Sequence, residues 1–339
     1  MVSPTHTQNR WLATYSIMVA ALAGAVATIG VVGRGNLDTT AHTTVRGETV
    51  DWVTSGVYAN SPERLVAEGV AWDLFTLLVA VPALVVVAVG VGHGSLRARL
   101  ATIGLFAYLA YQYLMYAVAW AVGPLLLPFV VVFVASWVGI VLILATIDVR
   151  SLPDHIGSGF PRRSIVALSV VMPLLLIGMW VPLIASVNDG QLEGNLHGQT
   201  TLVVQALDLG LVVPIGFLTA WLLIRRRAVA ILMAAAVVVK ALAMAWAIVA
   251  MVIAAWRIDG DLDLGGLVIF TVAGLASLAL VIAVFRSIVE APRPSAVPGS
   301  RVGHAPSGPA TVGNHSDDGQ ERQCRESSSP TTPPPVTVS

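Results

Sequence analysis

The chain has 339 residues, 56% of them hydrophobic and only 11% charged, with no formal net charge and a mean hydropathy of +0.81. A soluble domain carries about 25% charged residues, so lipid rather than water is the solvent for most of this chain. Zero net charge supplies no basic field for nucleic acid. The single cysteine, Cys324, excludes disulfide frameworks, CxxC redox pairs, zinc knuckles and cysteine-ligated clusters.

A spanning helix takes about 20 predominantly apolar residues. The first such run covers 11–33. An Ala21-Leu-Ala23 triplet resembles a signal-peptide cleavage site, but the run exceeds the usual apolar core of about 7–15 residues, so a retained helix is expected. A mixed outer loop, 34–69, follows. Within it, Ser61-Pro62-Glu63 offers an N-cap, a proline at the first helical position and an acid in the first turn. The second helix should therefore start there and enter the membrane near Val70. Further apolar runs at 70–92, 100–122, 124–147, 164–187, 201–224, 228–256 and 267–288 bring the count to eight, with Gly123 and Pro124 making one tight turn. The stretch 290–339 holds nine of the 19 prolines, with serine, glycine and threonine. Such a composition buries no core, and a disordered cytoplasmic tail is expected.

Arginines set the orientation. Alternate loops carry Arg97 and Arg99; Arg150, Arg162 and Arg163; Arg225, Arg226 and Arg227; then Arg286 and Arg293. The opposite loops carry Asp189 and Glu193, and Asp259, Asp261 and Asp263 beside Arg257. One phase persists through all eight runs, which places both termini in the cytoplasm; the plasma membrane is the expected location. Trp11, Trp72, Trp120, Trp180, Trp221 and Trp256 fall near predicted helix ends, as an interfacial belt should. Ala71-Trp-Asp73-Leu with Pro82 beyond it, and Ala206-Leu-Asp208-Leu with Pro214 beyond it, suggest a parallel repeat of four plus four helices. The expected fold is an all-α polytopic transmembrane bundle.

Ionisable side chains inside lipid cost about 2.5–3.5 kcal/mol on insertion scales. Three are candidates: Asp73, Asp208 and Lys240, the last being the only lysine in the chain. Intramembrane charges usually pair, so Asp208 and Lys240 form either a structural ion pair or the two sides of a site. Side chains lean toward the N-terminus of their own helix. Those ends lie on opposite sides for the sixth and seventh helices, so the two groups lean apart, with room for a bridging water or ligand. Asp73, beside Trp72, either reaches interfacial water or forms an acidic mouth. Tyr108, Gln112, Met115 and Tyr116 share a face of the third helix, and Gln205 precedes Asp208 by three residues. These residues gather the polar groups in the outer half of the bundle.

Ala20, Gly24 and Thr28 form a small-xxx-small face suited to helix packing. Asp259-Gly-Asp261-Leu-Asp263 resembles the start of a calcium loop, but Phe270 occupies the position where an EF-hand needs glutamate. No catalytic motif, metal set or cofactor fingerprint is present, so no catalytic residue, metal or cofactor is expected.

The segment Gln205-Ala-Leu-Asp208-Leu-Gly210 with Pro214 and the arginines 225–227, the segment Val239-Lys240-Ala-Leu-Ala-Met-Ala-Trp246, and the tyrosine-rich third helix resemble a set of uncharacterised multi-pass bacterial membrane proteins. The resemblance spans the membrane domain. It implies the architecture and no activity.

Three functions are expected to compete. One is transport or binding of a small polar or ionic ligand, marked by a wet cavity reaching Asp208 and Lys240. Another is a signalling or scaffold role, marked by tight packing throughout. The third is a membrane-embedded enzyme acting on a lipid or quinone, marked by a lateral opening.

Overall fold

The computed structural model describes residues 5–36, 38–192 and 195–290. The expected tail, apart from Glu290, lies outside these residues, as do Glu193 and Gly194. Among the described residues, eight helices are long and apolar enough to cross a bilayer: α1 (His6–Val32), α2 (Glu63–Gly92), α3 (Leu96–Ala119), α4 (Leu126–Leu144), α5 (Arg162–Asn188), α6 (Val203–Ile224), α7 (Val229–Asp259) and α8 (Leu264–Ser287). The chain is thus a multi-pass integral membrane protein with an all-α bundle. The apolar runs located every helix. The starts of α1, α3 and α8 differ from the apolar runs because a capping side chain rather than hydropathy sets them. Thr5 accepts from the Gln8 N–H at the start of α1, Ser95 from Ala98 at α3, and Asp263 from Gly266 at α8. Gly260 ends α7 with a left-handed φ of 72°, a conformation that glycine adopts without steric cost.

One end of the bundle carries the arginine loops. The other carries a small antiparallel sheet within the outer loop, where no strand is expected from sequence: β1 (Thr39–Thr43), β2 (Thr49–Val53) and β3 (Ser61–Pro62), in the order β1-β2-β3. The sheet also corrects the start of α2. Ser61 pairs with Val53 in the sheet rather than capping, and the helix begins at Glu63 with no side-chain cap.

The helix contacts obey a four-plus-four symmetry. α1 packs on α2 as α5 packs on α6, α2 on α3 as α6 on α7, and α3 on α4 as α7 on α8. The sheet end of α2 also packs on α7, as that of α6 packs on α3, while α3 and α7 meet at the centre. The contact of α1 with α4 stands outside this symmetry. α3 is the most buried of the eight, which explains how it tolerates four tyrosines and a glutamine.

Both α2 and α6 contain a π-helical turn, Thr76–Ala80 and Asp208–Val212. Each is followed directly by Val-Pro: Val81-Pro82 and Val213-Pro214. Proline has no N–H to donate and its ring crowds the carbonyl four residues back. An extra residue just before it lets Val81 N–H reach Thr76 C=O, and Val213 N–H reach Asp208 C=O, five residues back. This corrects the register of the repeat. Asp208 corresponds to Thr76, three residues beyond Asp73.

Candidate functional site

α3 brings polar side chains to two neighbours. Toward α2, the Tyr108 hydroxyl accepts from Trp72 Nε1 (2.9 Å) and bonds Thr76 Oγ1 (2.8 Å), and Thr76 Oγ1 donates to Gln112 Oε1 (2.8 Å). Tyr116 donates to the Gly69 carbonyl (2.8 Å). All of these side chains are buried. Rings of Tyr58, Tyr113, Tyr116, Trp120 and Phe129 stack edge-on or tilted beside them. Gly69 permits this packing, since a Cβ there would fall on the Trp120 ring.

Asp73 lies in the same region and is fully buried, so it neither reaches interfacial water nor lines either of the cavities at the ends of the bundle. Tyr58, from the segment between β2 and β3, donates to Asp73 Oδ2, while Oδ1 is buried without a hydrogen-bond partner among the described residues, as is Gln112 Nε2. Gly30 of α1 makes room for the carboxylate: a Cβ there would fall on it. Burial, and then the Asp73 carboxylate, push the Tyr58 phenol above its ordinary range.

Toward α6 and α7, Tyr111 takes the place expected of a bridging water. Its hydroxyl donates to Asp208 Oδ1 (2.6 Å), and Lys240 Nζ lies 4.1 Å from its ring centroid. Trp180 of α5 donates to Asp208 Oδ2 (2.9 Å). Asp208 and Lys240 form no direct ion pair. Among the described residues the ion pairs are Arg64 with Glu68 and Arg64 with Asp259, both at the sheet end. A phenol donating to a carboxylate gains electron density in its ring, which strengthens its attraction for a cation over its face. Asp208, Tyr111 and Lys240 therefore form one polar unit across three helices. Gln205 is half-buried one turn from Asp208.

Asp208 and Lys240 stand together as their sequence positions suggest, but the tryptophans expected in an interfacial belt divide into two groups. Trp72 is buried and Trp180 binds Asp208, whereas Trp11, Trp221 and Trp256 remain exposed. Nothing in the sequence sets Tyr111 apart from the other tyrosines of α3, because its role comes from α3 meeting α6 and α7. Thr76 was legible from its position one turn after Asp73.

Two cavities open at the ends of the bundle. One, of about 700 Å³ at the sheet end, is lined by Arg64, Glu68, His197, Asp259, Asp261 and Asp263 among others. The other, of about 290 Å³, lies at the arginine end. Neither is lined by Asp208 or Lys240. No cluster of three or more metal-ligating side chains occurs among the described residues. Comparison with protein families, with curated proteins and with solved structures finds no match for this chain.

Proposed function

We propose that this chain binds and translocates a small polar ligand at the unit formed by Asp208, Tyr111 and Lys240. The sheet end would face outward and the arginine end the cytoplasm, across the plasma membrane. The observation that carries this reading is the state of Lys240. Its ammonium meets a ring face and has no hydrogen-bond acceptor among the described residues, although an ammonium has three N–H donors to place. A cation left with open donors inside a lipid-embedded bundle is suited to meeting the oxygen of a ligand. Two supports accompany it. Asp208 sits at the start of a π-helical turn, a distortion common at functional sites, and the loops of one end are rich in arginine, as cytoplasmic loops are. Two observations favour a second reading, a signalling or scaffold protein: the tyrosine cluster between α2 and α3 is densely packed, and neither cavity reaches Asp208 or Lys240, as a transport site would require in this conformation.

One experiment separates the two. In a Cys324→Ser background, cysteines replace Gln205 or Met244 one at a time, each one turn from a member of the unit, and a membrane-impermeant thiol reagent is added from each side in turn. A translocating protein exposes both positions to water during its cycle, so both should be modified. No modification from either side, in variants of unchanged thermal stability, would leave the scaffold reading.

A further inference from the structure

The cavity at the arginine end has no part in the polar unit. It is formed where the α6–α7 turn meets the segment leading into α5. Arg162, Arg226 and Arg227 line it, Ile156, Phe160 and Ile231 supply apolar walls, and no acidic side chain is among its lining residues. None of the three arginines forms an ion pair among the described residues. Arg162 spends one N–H on the Leu223 carbonyl (2.9 Å), and Arg226 and Arg227 are exposed. Asp148 and Asp154, on the short helix Val149–His155 and its cap, are the nearest acids in sequence, and neither lines the cavity.

The surroundings place this cavity at headgroup depth. On the adjoining last turns of α6, Trp221 and Ile224 are 51% and 65% exposed, and the Arg225 guanidinium stands 5.9 Å over the Trp221 ring. An exposed tryptophan followed by arginines marks the boundary between hydrocarbon and headgroups. The volume of about 290 Å³ is at the lower end of small-ligand pockets, which start near 300 Å³. Guanidinium groups match phosphate oxygens two at a time, and basic pockets between helices on this side of a membrane suit anionic headgroups.

We propose that this cavity binds the phosphodiester of an anionic phospholipid. Arg226 and Arg227 hold the phosphate, Arg162 lies beneath it, and the acyl chains run down the exposed side of α6. The bound lipid would bridge the α6–α7 turn to the start of α5.

The test uses the purified full-length chain in a neutral detergent, with thermal unfolding followed during titration. The added compounds are dioctanoyl phosphatidylglycerol, dioctanoyl phosphatidylcholine, glycerol 3-phosphate and inorganic phosphate. Saturable stabilisation by phosphatidylglycerol alone is expected. Arg226→Gln with Arg227→Gln should weaken it about 25-fold, at about fivefold per arginine. Ser158→Trp, which fills the cavity from an exposed position while keeping every charge, should weaken it as well. Arg163→Gln, an exposed arginine outside the lining, should leave it unchanged. Equal stabilisation by inorganic phosphate or by glycerol 3-phosphate would overturn the lipid assignment, and equal stabilisation by phosphatidylcholine, which carries the same phosphodiester without net charge, would overturn the preference for an anionic lipid. An equal loss in Arg163→Gln, or none in either cavity variant, would overturn the site.

Discussion

At the scale of single residues, the link between Asp208 and Lys240 runs through Tyr111, and this changes what mutations should do. A buried ion pair broken at one partner costs about 3–5 kcal/mol, and removing both partners restores stability. Here Lys240→Met removes a cation–π contact worth up to about 2 kcal/mol. Tyr111→Phe removes the hydrogen bond to Asp208 Oδ1 (2.6 Å), at about 1–3 kcal/mol for the acceptor left behind. In a thermal double-mutant cycle, Lys240→Met with Asp208→Leu should show a coupling below about 1 kcal/mol; strong rescue would indicate a direct pair. Gly30→Ala should cost about 1–3 kcal/mol by overpacking, because its Cβ meets the Asp73 carboxylate. Unfolding of the purified protein checks this directly, and an unchanged Tm would mean that α1 shifts freely. His197, outside the helices, is pushed below its ordinary value by burial and by the Arg64 guanidinium, against the pull of Asp259 and Glu48. The folded state therefore binds the proton less readily than the unfolded state. The stability that follows is complete above about pH 6.5 and is lost as pH falls through the lower folded value. His197 also sits at φ 49°, which asparagine tolerates. His197→Asn should keep stability at neutral pH and flatten this acid-side decline, as melting curves across pH would record.

At the scale of elements, the end of α8 is tied to the arginine end by a short run of residues. Ile156 bridges Ile288, Val289 N–H donates to the His155 carbonyl, and Arg97 Nε donates to the Ile288 carbonyl (2.9 Å). Glu290 then accepts from the Ser95 hydroxyl and from the N–H groups of Leu96 and Arg97, at the N-terminus of α3. Partial burial opposes its ionisation, but these hydrogen bonds and the Arg97 charge hold its carboxyl below the usual range. Every one of these contacts precedes Ala291. Removing 291–339 should leave the melting temperature unchanged, and removing 288–339 should lower stability by about 0.5–2 kcal/mol for the lost cap alone. Equal loss in both truncations would mean that the tail itself docks. The composition of the tail pointed to the first result. The docking of Ile288–Glu290 was invisible in sequence, because its partners lie near positions 96 and 156.

At the scale of the whole molecule, eight helices arranged as two sets of four build one bundle around α3 and α7. Reporter fusions after Arg99, Arg163, Arg227 and Arg293 should read cytoplasmic, and fusions at Gly47, Gly194 and Gly260 external. A single reversed site would remove the eight-span topology, and reversal of every site would invert the proposed orientation. The pairing carries the repeat more firmly than the four-residue match that first suggested it. That match aligned Asp73 with Asp208, whereas the turns before Pro82 and Pro214 align Thr76 with Asp208.

Hydropathy and charge by themselves determined the number of helices, their approximate spans and the two intramembrane groups Asp208 and Lys240. Each of these follows from the cost of putting backbone and charge into lipid, and that cost is local to a segment. Only the tertiary structure decided which side chains meet. Inside the membrane no contrast with water marks the packed face of a helix, because lipid tails are as apolar as a protein core. The burial of Trp72, the bond from Trp180 to Asp208 and the position of Tyr111 between a carboxylate and an ammonium depend on how five helices cross. The small sheet likewise depended on pairing between segments about ten residues apart, in a loop whose composition carried no strand periodicity strong enough to announce it.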